Sequence, residues 1–188
     1  IIIFKMNKKV LYFAYGSNLL TSRIRINNPS AMFYGIARLE DYRLDFIGWS
    51  NLWNGAPATI VATPGFHVWG IIWELDKADI EHLDHQETGY NAFQAIVVTP
   101  SGQKINCRVY QQIKMPNAYA KLRELPNSRR PSQTYLKIIV KGAIDREIPI
   151  EYINLLRKTR HNDFTDAYSD IGQEVAGIYL SYKDLSTQ

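Results

Sequence analysis

Residues 11–20 read LYFAYGSNLL. Val10 to Tyr15 is β-branched and aromatic, the composition of a strand that fits a pleated, buried surface. It runs into Gly16-Ser17-Asn18 and then a leucine pair. Glycine permits positive φ and lets a ligand come close to the backbone. Successive N–H groups after a strand can form an anion-binding concavity, and a helix opening over Leu19 to Ile24 would add its own free donors. The plainer alternative is an ordinary turn, with Ser17 or Asn18 capping the next helix.

Working outward, β signals fill the first half. Ala31 to Ala37 and Tyr42 to Phe46 read as two strands, and Ala58 to Ala62 and His67 to Trp73 as two more, divided by the turn signal Thr63-Pro64-Gly65. Asn91 to Val98 and Lys104 to Tyr110 flank TPSGQ, which reads as a hairpin turn. Asp76 is placed to cap a short helix with Asp79 in its first turn, ending near Gln86. PSQTYLKIIVKGAID begins with Pro131, suited to a first helical position, and PIEYINLLRK reads as a second helix. Between hairpin and helices, PNAYAKLRELPNSRRP (116–131) is basic and punctuated by proline, which points to a mobile loop or lid. Short strands followed by helices predict an α+β fold, a small, mixed but mainly antiparallel β-barrel with flanking helices. The chain reads as a single domain over 8–165, with a polar, peripheral tail over 166–188.

Composition narrows the function classes. The chain has 188 residues, enough to bury a substantial core, and 46% are hydrophobic, which excludes a disordered chain. Its one cysteine, Cys107, excludes an internal disulfide and fits a reducing, cytoplasmic compartment. In IIIFKMNKKV the apolar residues precede the basic ones, the reverse of a secretory leader, and no apolar run reaches the roughly 20 residues that span a bilayer. A net charge of +4 is too mild to argue for nucleic acid, and no RNA-binding signature accompanies it. The expectation is therefore neither a nucleic-acid nor a membrane partner.

Two clusters of chemistry-bearing residues stand out. Glu81, His82, Asp84, His85 and Glu87 are dense in possible metal ligands, but the spacing is not that of HExxH and no cysteine joins them. A solvated helix face is the preferred reading, with no metal and no cofactor. The basic run Lys121, Arg123, Arg129 and Arg130 reads as a solvated loop rather than an anion channel. Cys107, within the strand INCRVY, reads as a small buried hydrophobe.

YFAYGSNL, Tyr12 to Leu19, resembles the signature of the γ-glutamylcyclotransferase family. The likeness continues through GSNLLTSRIRINNPSAMFYGIARLEDYRLDF, VWGIIWEL, LDHQE and YLKIIVKGA, in order, over roughly residues 10–165. The resemblance implies a barrel with flanking helices that converts a γ-glutamyl amino acid or dipeptide into 5-oxoproline and a free amino acid. It implies that Glu87, in LDHQE, is the general acid/base. It implies that Tyr12, Phe13, Ala14 and Tyr15 line the substrate, that Gly16, Ser17 and Asn18 hold it through backbone N–H groups, and that Tyr135 contacts it. It implies no cofactor, and a homodimer is possible because relatives commonly pair. The loop IGWSNLWNGAPA, with Trp49 and Trp53, and the segment TGYNAF, with Phe93 where a tyrosine is usual, depart from the family pattern and bear on substrate preference. Glutathione or a γ-glutamylamine is an alternative substrate, and a non-catalytic binding protein of the same fold is an alternative in another class. The implied chemistry is self-consistent. The substrate's own amine attacks its γ-carbonyl, so no Ser-His-Asp or Cys-His nucleophile is needed, and none is apparent.

Overall fold

The computed structural model describes residues 8–165; the predicted tail, 166–188, lies outside them. The elements are β1 (Lys9–Ala14), α1 (Thr21–Asn27), β2 (Met32–Phe46), β3 (Ala58–Asp76), α2 (Lys77–Gln86), β4 (Tyr90–Val98), β5 (Lys104–Gln112), α3 (Gln133–Asp145) and α4 (Ile150–Arg157). The strands close into a barrel in the order β1-β3-β2-β4-β5. Every neighbouring pair is antiparallel except β1 and β5, which run parallel at Tyr12↔Arg108. The mixed, mainly antiparallel barrel expected from the sequence is the one found. Among the described residues, no helix is long and apolar enough to cross a membrane.

The four strands expected over residues 31–73 are two long ones. β2 has 15 residues and β3 has 19, paired from Met32↔Glu74 to Phe46↔Ala58. Thr63-Pro64-Gly65 does not end a strand. The register jumps from Glu40↔His67 to Tyr42↔Ala62, so residues 63–66 bulge opposite Asp41. Asp41 and Gly65 both have positive φ, at 60° and 81°, and the Gly65 N–H donates to Asp41 Oδ1 at 2.9 Å. Pro64 lies where the ladder is already broken, so its missing N–H costs nothing. The bulge bends the pair, as barrel closure requires.

The hairpin turn forms as expected: Thr99 N–H donates to Gln103 O at 2.9 Å, and Gly102 has φ 86°. Asp76 takes the position before α2, but its carboxylate pairs with Lys9 at 2.9 Å instead of capping the helix. Pro131 lies outside α3. Ser132 is the cap, accepting the Tyr135 N–H at 3.1 Å.

Segment 116–131 is anchored, contrary to the lid expected from its prolines and charges. Leu122 and Leu125 are buried, and burying one leucine contributes about 1.5–3 kcal/mol. Arg129 donates to both oxygens of the wholly buried Asp45 and to the carbonyls of Phe46 and Ala118. Arg130 Nε donates to Leu125 O, which leaves Lys121 and Arg123 as the exposed part of the basic run.

Core packing brings α3 directly onto the GSN turn. A Cβ at Gly142, on α3, would stand 2.5 Å from the carbonyl carbon of Leu19, so only glycine lets helix and turn meet. At the far end of α3, Arg146 donates to Thr21 Oγ1 at 2.7 Å and stacks over Phe33, which fixes the start of α1. Cys107 is buried, and burial pushes its thiol up to about 12, so it packs as a small hydrophobe.

Candidate active site

β1 delivers its last residues to the rim of the barrel and the chain turns there. Gly16 has φ −107° and ψ −139°, not the positive φ that glycine alone would have allowed. Space is tight there: a Cβ would stand 3.2 Å from Tyr135 Oη, which would have to shift to admit it. Ser17–Leu19 forms a single 3-10 turn, and α1 starts at Thr21 after Leu20, so neither Ser17 nor Asn18 caps it. Asn18 is held at both ends instead. Its carbonyl accepts Trp73 Nε1–H at 2.9 Å, and its Nδ2 donates to Tyr12 Oη at 3.2 Å. Among the described residues, no backbone carbonyl accepts the N–H groups of Ser17 or Asn18, and the Ser17 N–H is turned toward the Tyr135 oxygen.

This turn lines a cavity of about 570 Å³. Tyr12, Tyr15, Gly16, Ser17, Asn18, Tyr135 and Glu87, all expected at the site, come together there. Phe13 and Ala14, also expected, do not line it. Alternate residues of a strand face opposite ways, and Phe13, wholly buried, packs against Gly70 in the core. Ala14 is wholly buried as well.

Glu87 closes the C-terminal end of α2. Its N–H donates to Leu83 O at 3.0 Å, and its carbonyl accepts the Tyr90 N–H at 2.9 Å. The carboxyl is partly buried. Desolvation raises its pKa to about 7, while Arg23 pulls the other way. The charge of Glu87 in turn reaches Tyr12, Tyr15, Tyr90 and Tyr135, whose phenols burial raises. Tyr135 is pushed up to about 12 and stays protonated at neutral pH. Its oxygen accepts the Ala58 N–H at 3.2 Å, which leaves the O–H proton able to donate. Trp53 lies against its ring at 4.7 Å. The arrangement therefore offers a proton carrier near neutral pH, backbone donors and a phenol donor on one cavity.

The acidic stretch of α2 is otherwise committed. Asp84 accepts from Arg108 at 2.6 Å and from the Tyr110 hydroxyl, and His82 and His85 are exposed. No group of three or more His, Cys, Asp or Glu converges as a metal site among the described residues.

Residues 67–156 match the AIG2-like family. The γ-glutamylcyclotransferase of Bos taurus is 40% identical over 168 residues, 85% of this chain and 84% of that protein. That of Homo sapiens is 40% identical with the same coverage. A solved structure titled gamma-glutamyl cyclotransferase aligns with a TM-score of 0.80 at 37% identity, covering 91% of this chain and 99% of that one. The chain belongs to the γ-glutamylcyclotransferase family.

Within this γ-glutamylcyclotransferase fold, the cavity also recruits residues that local sequence reading passed over. Tyr90 lines it and donates to Ala58 O at 2.7 Å, so the peptide groups of Ala58 orient both Tyr90 and Tyr135. Phe93, where the resemblance implies a tyrosine, stacks on Tyr42. Arg23, on α1, lines the cavity and lies over the Trp53 ring at 5.5 Å. The available signal was its place on the helix that follows the GSN turn. Gln112 lines the cavity from the end of β5, and nothing in its local sequence marks it.

Proposed function

We propose that this chain cyclises γ-glutamyl amino acids or dipeptides to 5-oxoproline. The substrate's α-nitrogen bonds to its own γ-carbonyl carbon, and the γ-amide C–N bond breaks. Glu87 takes a proton from the α-ammonium and passes it to the leaving nitrogen. After attack the ring nitrogen gives up a second proton, which ends on the released amine as its ammonium, so protons balance without a cofactor. Such general acid–base help contributes about 10²–10⁴-fold. The N–H groups of Gly16 to Asn18 take the α-carboxylate or the oxyanion, with Arg23 close by, and the Tyr135 hydroxyl is a further donor. Each preorganised oxyanion donor is worth about 3 kcal/mol. Folding the glutamyl chain back on itself inside the cavity adds an orientation term.

The observation that carries this reading is Glu87: a carboxyl with a pKa of about 7 on the cavity that the GSN turn and Tyr135 also line. A group titrating there can both accept and donate a proton at neutral pH. The single, buried Cys107 fits a reducing, cytoplasmic setting. The test is release of 5-oxoproline from γ-glutamyl-alanine by the purified protein. Release supports the reading. Binding without release would make the chain a non-catalytic binding protein of the same fold.

A further inference from the structure

The cavity has two chemistries, and the proposed reaction uses only the inner one. Tyr12, Tyr15 and Tyr135 are buried around Glu87. The outer lining mixes Ser50, Thr88 and Lys114 with three large apolar side chains: Trp49 is 64% exposed, Leu52 50% and Ile113 61%, yet all three line the same cavity. One exposed apolar residue needs no explanation, but three large ones around a single opening form a surface with something to cover. Lys114 also lines this opening and has no ion-pair partner among the described residues.

The edges of this opening are tied together. Trp49 and Leu52 belong to the loop between β2 and β3, whereas Ile113 and Lys114 follow β5. Gln112 Nε2 joins the two, donating to Pro57 O at 2.9 Å and Ile47 O at 3.2 Å. The Ile113 N–H donates to Gly89 O at 2.9 Å, which ties the same edge to the start of β4. Trp49 Nε1–H donates to Asn51 Oδ1 at 3.1 Å. The apolar surface is thus preformed, and a ligand covering it loses little to ordering the protein.

With the glutamyl group held around Glu87 and the GSN turn, the rest of the same cavity, including this surface, is the space left for its amide substituent. We infer that the leaving amine carries a bulky apolar side chain, which lies on Trp49, Leu52 and Ile113 while its carboxylate meets Lys114. The preferred substrates are then γ-glutamyl derivatives of aromatic or large aliphatic amino acids. A small or acidic leaving group would leave the three side chains wet. This inference rests on the function proposed above.

The experiment compares kcat/KM for 5-oxoproline release from γ-glutamyl-phenylalanine, γ-glutamyl-alanine and γ-glutamyl-phenethylamine, which lacks the second carboxylate. The phenylalanine compound should exceed the alanine compound about tenfold or more, the range of apolar-pocket discrimination. It should exceed the phenethylamine compound severalfold. Trp49→Ala should bring the phenylalanine-to-alanine ratio close to one, and Lys114→Met should remove the difference between phenylalanine and phenethylamine. These are ratios within one variant, so a lower fraction of folded enzyme cannot mimic them. Equal kcat/KM for phenylalanine and alanine, or a ratio that Trp49→Ala leaves intact, would overturn the apolar subsite and leave the proposed function standing. A phenylalanine-to-phenethylamine ratio unmoved by Lys114→Met would overturn the assignment of Lys114. No 5-oxoproline from any compound would sink the proposed function and the subsite together.

Discussion

Glu87 is an acid whose surroundings favour its neutral form. Burial raises its pKa from 4.5 to about 7, against a smaller pull from Arg23. The folded state therefore holds the proton more tightly than the unfolded chain does. The stability this brings is fully present below about pH 4.5 and is lost as pH rises through about 7. At about 1.36 kcal/mol per pKa unit, the ionised carboxylate costs up to about 3 kcal/mol above neutrality. Glu87→Gln has no charge to desolvate, so it should melt above wild type at pH 8 and nearer to it at pH 4.5; a gap that does not change with pH would contradict the assignment. Gly16 makes a second residue-scale prediction. Val at this position presses its Cβ on Tyr135 Oη and fills the space before the backbone donors, so Gly16→Val should lower kcat/KM about 100-fold or more. Wild-type kcat/KM in a folded Gly16→Val would show that the turn does not hold substrate. At this scale the sequence made both residues legible through their strings, YGSN and LDHQE. It did not reveal what crowds Gly16, because the neighbour is a hydroxyl on α3, far along the chain.

At the scale of elements, misreadings came where a distant partner decides between two local meanings. Thr63-Pro64-Gly65 is a turn by composition, but Asp41 accepts the Gly65 N–H and converts it into a bulge inside a strand. Segment 116–131 looks mobile by composition, but Asp45 waits for Arg129 in the interior. The strands and helices with strong local patterns, from β1 to the TPSGQ hairpin and α4, were legible because nothing distant contradicts them. The buried Asp45 is shared by Arg43 and Arg129. Arg129→Met leaves Asp45 with Arg43 and the Phe46 N–H, so its cost should stay below the roughly 3–5 kcal/mol of a buried charge left wholly unpaired. The urea midpoint should fall, and amide exchange over 116–131 should quicken. Unchanged exchange in that segment would mean that the leucines, not the ion pair, hold it.

At the scale of the molecule, barrel closure assembles the site. β1 brings the tyrosines and the GSN turn, the end of α2 brings Glu87, and α3 brings Tyr135 against that turn because Gly142 has no side chain. Tyr90 and Gln112 arrive with β4 and β5. The barrel class was legible from the run of short strands and turns. The strand order was not, and so neither were the residues that closure alone brings to the cavity. The central claim, that Glu87 carries the protons, is tested most directly by the pH dependence of 5-oxoproline release from γ-glutamyl-alanine, in wild type and in Glu87→Gln. The account predicts that wild-type kcat/KM rises with pH through about 7 as Glu87 ionises. It predicts that kcat in the folded Glu87→Gln protein falls by about 10²–10⁴ and loses that rise. A folded Glu87→Gln protein turning over at the wild-type rate, with the same pH profile, would contradict it.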